Sequence, residues 1–84
     1  MIFYHNSVIE LVLDEKKYLL KFGQNLRQLR RKSQLTQEHL AIDSDIPINQ
    51  VGRIERGEIN TTVTTLLKIS KALKVEIIEL FMFK

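Results

Sequence analysis

The chain has 84 residues, of which 44% are hydrophobic and 27% are charged, and its formal net charge is +3. That length fits one small domain, which would gain useful burial by dimerising. The absence of cysteine excludes a disulfide framework and a cysteine-based zinc site, and it suits a cytoplasmic setting. The apolar run at residues 8–13 is short and contains Glu10, so we expect neither a membrane span nor a secretory signal.

The first residues, MIFYHNSVIELVL, allow two interpretations. Ser7 and Glu10 fit a capping box, which would begin a helix at Val8. The β-branched and aromatic residues equally suit a strand. We treat residues 1–13 as an N-terminal extension to a domain over residues 14–84. Its apolar side chains would pack either within the chain or against a partner subunit.

The first helix of the domain is predicted over residues 14–32. Its apolar residues recur at three- and four-residue spacing and form one stripe: Leu19, Phe22, Leu26 and Leu29. Residues 21–36 hold five cations and no acid, whereas residues 37–60 hold five acids and two arginines. The basic cluster fits either a patch that faces phosphate groups or a solvated helix face.

Residues 36–57, TQEHLAIDSDIPINQVGRIERG, have the layout of two short helices joined by a tight turn. Thr36 is suited to cap the first helix, which would run to about Ile42. The second would start near Pro47, whose missing N–H costs nothing in a first helical turn, and would end at Gly57. Its apolar residues share one face, and its polar residues project elsewhere. Those polar side chains are of the types that read base edges, which makes DNA binding the leading hypothesis.

Two further helices are predicted after this pair. The fourth would cover about residues 62–73, with Asn60 or Thr61 as its cap. Its inward residues would be Val63, Leu66, Ile69 or Ser70, and Leu73. A short fifth helix over residues 76–81 would bury Ile77, Leu80 and Phe81. The sequence therefore indicates an all-α domain of five helices.

Several of these residues resemble the helix-turn-helix of the phage repressor, Cro and Xre family of transcriptional regulators. The resemblance rests on QEHLA at 37–41, on Ile46 and Val51, and on IERG at 54–57, and it extends over about residues 22–81. It implies a compact five-helix domain of the lambda-repressor type. The chain departs from the family at Asp45, where the turn usually has glycine. Aspartate can adopt the left-handed conformation at moderate cost, so the turn stays feasible.

The resemblance also implies roles for individual residues. The second helix of the motif would enter the major groove with its first residues against base edges. An ion pair between Arg30 and Glu55 would fix the angle between the first and third helices. The expected base contacts are Ile48, Asn49, Gln50 and Arg53, beside Pro47. The expected backbone contacts are Gln37, Thr36, Arg27, Lys32, Asn60, Thr61 and Thr62.

The predicted function is that of a sequence-specific regulator, a repressor that binds double-stranded DNA as a homodimer on an inverted repeat. The alternative is a protein-interaction module, such as an antitoxin, that uses the fold as a scaffold. Small members of the family include phage repressor-like proteins, restriction–modification controllers and antitoxins, and the sequence does not choose among them. We expect no enzymatic activity, cofactor, metal, membrane partner or small-molecule effector, and we interpret His5 and His39 as surface residues.

Overall fold

The computed structural model describes residues 14–84. Over that range the chain forms four α-helices, one short 3₁₀ helix and no strand. The elements are α1 (Glu15–Lys32), α2 (Gln37–Ser44), α3 (Ile48–Glu55), α4 (Val63–Leu73) and the 3₁₀ helix (Ile77–Phe81). The all-α fold is confirmed, with four α-helices rather than five. The choice between helix and strand before Asp14 lies outside the described residues.

The fifth predicted helix is a single stretch of 3₁₀ helix. Its backbone N–H groups bond three residues back, as from Glu79 to the Glu76 carbonyl at 2.9 Å. A capping box between the same two residues fixes its start. Five residues are too few to reward the longer hydrogen-bonding pattern of an α-helix, and short terminal segments commonly settle into this tighter form. In the described part of the chain, no helix is long and apolar enough to cross a membrane.

The helices close around one small apolar core. α2 packs against α3 and α4, while α1 packs against α3 and the 3₁₀ helix. Every helix contributes buried side chains at the spacing expected of one inward face. The core residues are Phe22, Leu26, Leu40, Ala41, Val51, Ile54, Leu66, Ile69, Leu73 and Leu80.

Two residues predicted to face inward are more exposed than expected. Val63 is 75% exposed because it is the first residue of α4 and lies beyond the edge of the core, which α4 reaches only at Leu66. Phe81 is 41% exposed, although its ring packs at a tilt against that of Phe22, with the centroids 5.0 Å apart. The inward face of α4 therefore consists of Leu66, Ile69, Ser70 and Leu73.

The turns and caps set the boundaries of the motif. Thr36 caps α2, and its hydroxyl oxygen accepts a hydrogen bond from the His39 N–H at 3.0 Å. Asp45 adopts the left-handed conformation, with φ 58° and ψ 48°, so the turn tolerates aspartate. Gly57 ends α3 with φ +71°. The cap of α4 is Thr62 rather than Asn60 or Thr61, because its hydroxyl reaches the Thr65 N–H at 3.1 Å.

A glycine on α1 allows the helix to approach the end of α3 at backbone distance. A Cβ atom on Gly23 would overlap the carbonyl groups of Ile54 and Glu55. Only a residue without a side chain permits this contact. This close approach brings the last turn of α3 within reach of side chains that lie one and two turns after Gly23 on α1.

Candidate nucleic-acid interface

The α2–α3 unit presents the start of α3 to solvent. Val51 and Ile54 are buried and fix one face of α3 on the core. Ile48 is 51% exposed, although it is one of the larger apolar side chains in the chain. Asn49 beside it is exposed as well. The buried face therefore holds α3 so that its first turn projects outward, which suits contact with another surface.

The base-contact candidates differ in their surroundings. Ile48, Asn49 and Arg53 lie on the exposed side of α3. Gln50 is half-buried, and its amide nitrogen donates a long hydrogen bond of 3.5 Å to the Thr61 hydroxyl. Gln50 thus connects α3 to the segment before α4, whereas the other three side chains are exposed.

The backbone-contact candidates fall into three places. Gln37 is the first residue of α2, directly after the Thr36 cap. Asn60, Thr61 and Thr62 lead into α4. In that segment the Asn60 side-chain oxygen accepts a hydrogen bond from the Thr61 N–H at 2.9 Å. Two more candidates lie on α1, where Lys32 is its exposed last residue and Arg27 lies more than one turn earlier.

One buried carboxylate joins three helices. The Glu55 side chain is fully buried, and Arg30, 9% exposed, donates to both of its oxygens, at 2.6 Å from Nε and 3.1 Å from Nη2. Arg27 Nε approaches Oε1 at 3.3 Å, and Gln37 Nε2 donates to the same oxygen at 3.0 Å. We refer to Arg27, Arg30, Gln37 and Glu55 as the Glu55 cluster.

The chemistry of the Glu55 cluster keeps the carboxylate ionised. Burial alone would raise the pKa of the Glu55 carboxyl. The hydrogen bonds from Arg30, Gln37 and Arg27, together with the charge of Arg30, outweigh burial and hold the pKa below its ordinary value. The family resemblance implies the pair of Glu55 with Arg30 but not the other two partners. The available signal was that Arg27 lies three residues before Arg30, on the same face of α1.

A second group of charged side chains, on and just after α3, was not predicted from the sequence. Arg56 Nε bonds Glu58 Oε2 at 2.6 Å, and Arg53 Nε lies 3.8 Å from Glu58 Oε1. The hydrogen bond from Arg56 and the charges of both arginines lower the pKa of Glu58. These side chains are about half exposed, so the pair stabilises the fold little. Its consequence is electrostatic, since it places a carboxylate beside Arg53.

Comparison with known proteins agrees with this geometry. The helix-turn-helix family model matches residues 26–80. The chain belongs to the helix-turn-helix family. The match spans α2, the turn and α3 together with most of the surrounding helices, and it confirms the resemblance to the Xre and Cro type of regulator.

Several similar proteins are control proteins of restriction–modification systems. The chain is 46% identical to the restriction-modification controller protein C.AhdI from Aeromonas hydrophila. The TM-score is 0.74, over 75% of this chain and 96% of that one. It is 45% identical over 58 residues to control protein C.BamHI from Bacillus amyloliquefaciens, covering 68% of this chain and 72% of the relative. Control protein C.MunI from Mycoplasma sp is 36% identical over 63 residues, 74% of this chain and 85% of the relative.

Proposed function

We propose that the chain is a sequence-specific transcriptional regulator of the restriction–modification controller type. It binds double-stranded DNA in the cytoplasm and represses transcription as a homodimer on an inverted repeat. The observation that carries this proposal is the exposed first turn of α3, held outward by the burial of Val51 and Ile54 on its other side. A helix presented in this way fits the major groove, where each base pair shows a distinct pattern of donors and acceptors.

The proposed base contacts follow from the chemistry of the exposed side chains. Arg53 can donate two hydrogen bonds to guanine, and Asn49 can exchange two with adenine. Ile48 offers an apolar surface for the methyl group of thymine. Each well-formed bidentate contact discriminates by about 1–3 kcal/mol against the wrong base. Gln50 is assigned a smaller share because its amide already contacts Thr61.

The proposed backbone contacts flank α3 on both sides. On one side lie Gln37 at the start of α2 and Arg27 on α1. On the other side, Asn60, Thr61 and Thr62 present short polar side chains. Contacts of this kind fix the register of a protein on the duplex without reading its sequence. Thr36 and Lys32 are the remaining proposed backbone contacts. Thr36 would contact phosphate at the start of α2, and Lys32 would do so through its positive charge.

The C-terminal apolar surface supports the proposed homodimer. Ile78 is 64% exposed and Met82 is 66% exposed, and Phe81 lies between them in sequence. Clustered exposed apolar side chains of this size mark contact surfaces in small domains. We assign them to a second copy of the chain. The two α3 helices of the dimer would then meet half-sites roughly 34–36 Å apart, one turn of the duplex.

The names of the relatives favour a controller over an antitoxin. The main argument for the alternative function, a protein-interaction module, is the same C-terminal surface. A protein-interaction module would use Ile78 and Phe81 to bind a different protein, with α2 and α3 serving only as scaffold. Such a module would bind duplex DNA weakly and without sequence preference. Its partner would be lost when Ile78, Phe81 or residues 2–12 are altered.

Selection from a pool of random duplexes tests the proposal. The chain is expected to enrich an inverted repeat whose half-sites are one helical turn apart, with affinity that falls steeply as salt rises. The steep fall reflects release of counterions from the phosphates that the protein neutralises. Failure to enrich any motif at modest salt, with the chain folded, would contradict the proposal and favour the interaction module.

A further inference from the structure

Two side chains of the Glu55 cluster, Arg27 and Gln37, are more exposed than Arg30. Arg30 is almost fully buried, and its Nη1 donates to the Leu35 carbonyl at 2.8 Å, so each of its three nitrogens donates inside the fold. The Arg27 side chain is 37% exposed, and Gln37 is half-buried. Both therefore reach from the buried carboxylate to the surface, where Gln37 begins α2.

The carboxylate fixes which atoms these two side chains present outward. An ionised carboxylate only accepts hydrogen bonds, so the NH₂ group of Gln37 must face Glu55. One of its two N–H bonds is used there, and among residues 14–84 the other has no acceptor. Arg27 uses only Nε in the cluster and keeps the N–H groups of both terminal nitrogens. Because both side chains approach Oε1, their bonded nitrogens lie within about 6 Å of each other.

The Gln37 amide lies against α3 at Gly52. A Cβ atom at Gly52 would lie 3.5 Å from Gln37 Oε1 and 3.7 Å from its Nε2. The amide thus rests against the backbone of α3 while it bonds to the last residue of that helix. These contacts with α3 couple the start of α2 to the helix proposed to lie in the major groove.

We propose that Glu55 is a positioning residue for DNA binding, in addition to its structural pairing with Arg30. It orients Gln37 and Arg27 so that their free N–H groups meet the phosphate backbone beside α3. This inference rests on the proposed DNA-binding function and assigns part of its affinity to a side chain that never touches DNA. Because phosphate contacts carry no sequence information, the effect is on affinity and not on sequence preference.

Substitutions of Glu55 distinguish its proposed positioning role from a simple effect of its negative charge on DNA binding. In Glu55→Gln the single side-chain oxygen is claimed by Arg30, and the new NH₂ group faces Gln37 Nε2 and Arg27 Nε. Neither side chain then has the acceptor that holds its present orientation. Binding is expected to weaken about three- to tenfold on every duplex, as for loss of one hydrogen bond. Charge alone predicts the opposite sign, since the variant removes a negative charge near DNA. Glu38→Gln is the matched control, because it removes an exposed carboxylate from the first turn of α2.

The experiment is a set of fluorescence-anisotropy titrations, at a temperature where circular dichroism shows each variant folded. Gln37→Met, which keeps the shape but has no donor, should weaken binding by a similar factor. In the Glu55→Gln background it should add no further loss. Glu55→Asp keeps the charge and the pairing with Arg30 but withdraws the oxygen from Gln37. Glu55→Asp should therefore weaken binding as well, and it replaces Glu55→Gln in the test if that variant does not fold.

Three results would overturn the inference. Glu55→Gln could bind as tightly as Glu38→Gln or more tightly, or the losses from Gln37→Met and Glu55→Gln could add in full. A change in the preferred sequence with Glu55→Asp would also contradict a role limited to phosphates. If the unaltered chain binds no duplex, the proposed function itself fails, and the inference falls with it.

Discussion

Replacing Arg30 by alanine tests what holds α1 against α3. The substitution leaves the Glu55 carboxylate fully buried without the two hydrogen bonds that Arg30 donates at 2.6 and 3.1 Å. It also removes the donor to the Leu35 carbonyl. Stranding one partner of a buried ion pair costs about 3–5 kcal/mol. Since Arg27 and Gln37 still bond to Glu55, we expect the low end of that range, about 3 kcal/mol.

Thermal and urea unfolding followed by circular dichroism would measure this loss. For a domain of this size, about 3 kcal/mol corresponds to a fall in Tm of roughly 12–24 °C. The double variant Arg30→Ala/Glu55→Ala should be less destabilised than the sum of the two single variants, because it leaves no buried unpaired charge. A loss below about 1 kcal/mol for Arg30→Ala, or strict additivity, would show that the ion pair does not hold α1 against α3.

The pH dependence of stability checks the same cluster. The pKa of Glu55 is lower in the folded chain than in the unfolded chain, so its contribution is present above the ordinary glutamate pKa of about 4.3. That contribution should be lost as the pH falls from there through the lower folded value. Arg30→Ala should flatten this dependence, because the main source of the lowered pKa is gone. Equal acid sensitivity of both proteins would contradict the assignment.

Three further predictions concern the rest of the domain. Gly23→Ala should cost about 3 kcal/mol in urea unfolding because its Cβ would overlap backbone carbonyls. Gly52→Ala should stay within about 1 kcal/mol of the unaltered chain, because its one tight contact, at 3.0 Å, would be with the flexible end of the Arg56 side chain. Thr62→Ala should cost about 1 kcal/mol by thermal melting, through loss of the cap on α4, and an unchanged Tm would exclude that cap. In sedimentation experiments Ile78→Asp should shift the proposed homodimer to monomer, and Ile42→Asp should not; dimerisation that survives Ile78→Asp would contradict the assigned surface.

The sequence predicted most of the fold because local signals agreed with the core pattern. The stripe on α1, the Thr36 cap and the Gly57 stop all lie where periodicity and capping chemistry place them. The errors occur where the burial of a residue depends on the position of neighbouring helices. Val63 has the spacing of an inward residue, but the core ends before it, and the periodicity of one helix cannot show where its neighbours stop.

The candidate site was predicted less completely. Spacing indicates that Asn49, Gln50 and Arg53 project away from the buried face of α3. Asn49 and Arg53 are exposed as expected, whereas Gln50 is half-buried against Thr61. The contact of Gln37 with Glu55 could not be predicted, because it joins α2 to α3 and depends on how these helices pack against α1 at Gly23. For Arg27 the sequence offers only its place on the same face of α1 as Arg30. Such contacts depend on how the helices pack, which a single sequence does not display.

The most direct test of the central claim is random-duplex selection with Arg53→Ala beside the unaltered chain. Lys32→Ala is the control, because it removes a proposed phosphate contact. Arg53→Ala should relax the preference at one position in each half-site and cost about 1–3 kcal/mol on the preferred duplex. Lys32→Ala should weaken all duplexes alike and keep the selected motif. If Arg53→Ala leaves the selected motif unchanged, α3 does not read bases through this residue, and the account is contradicted.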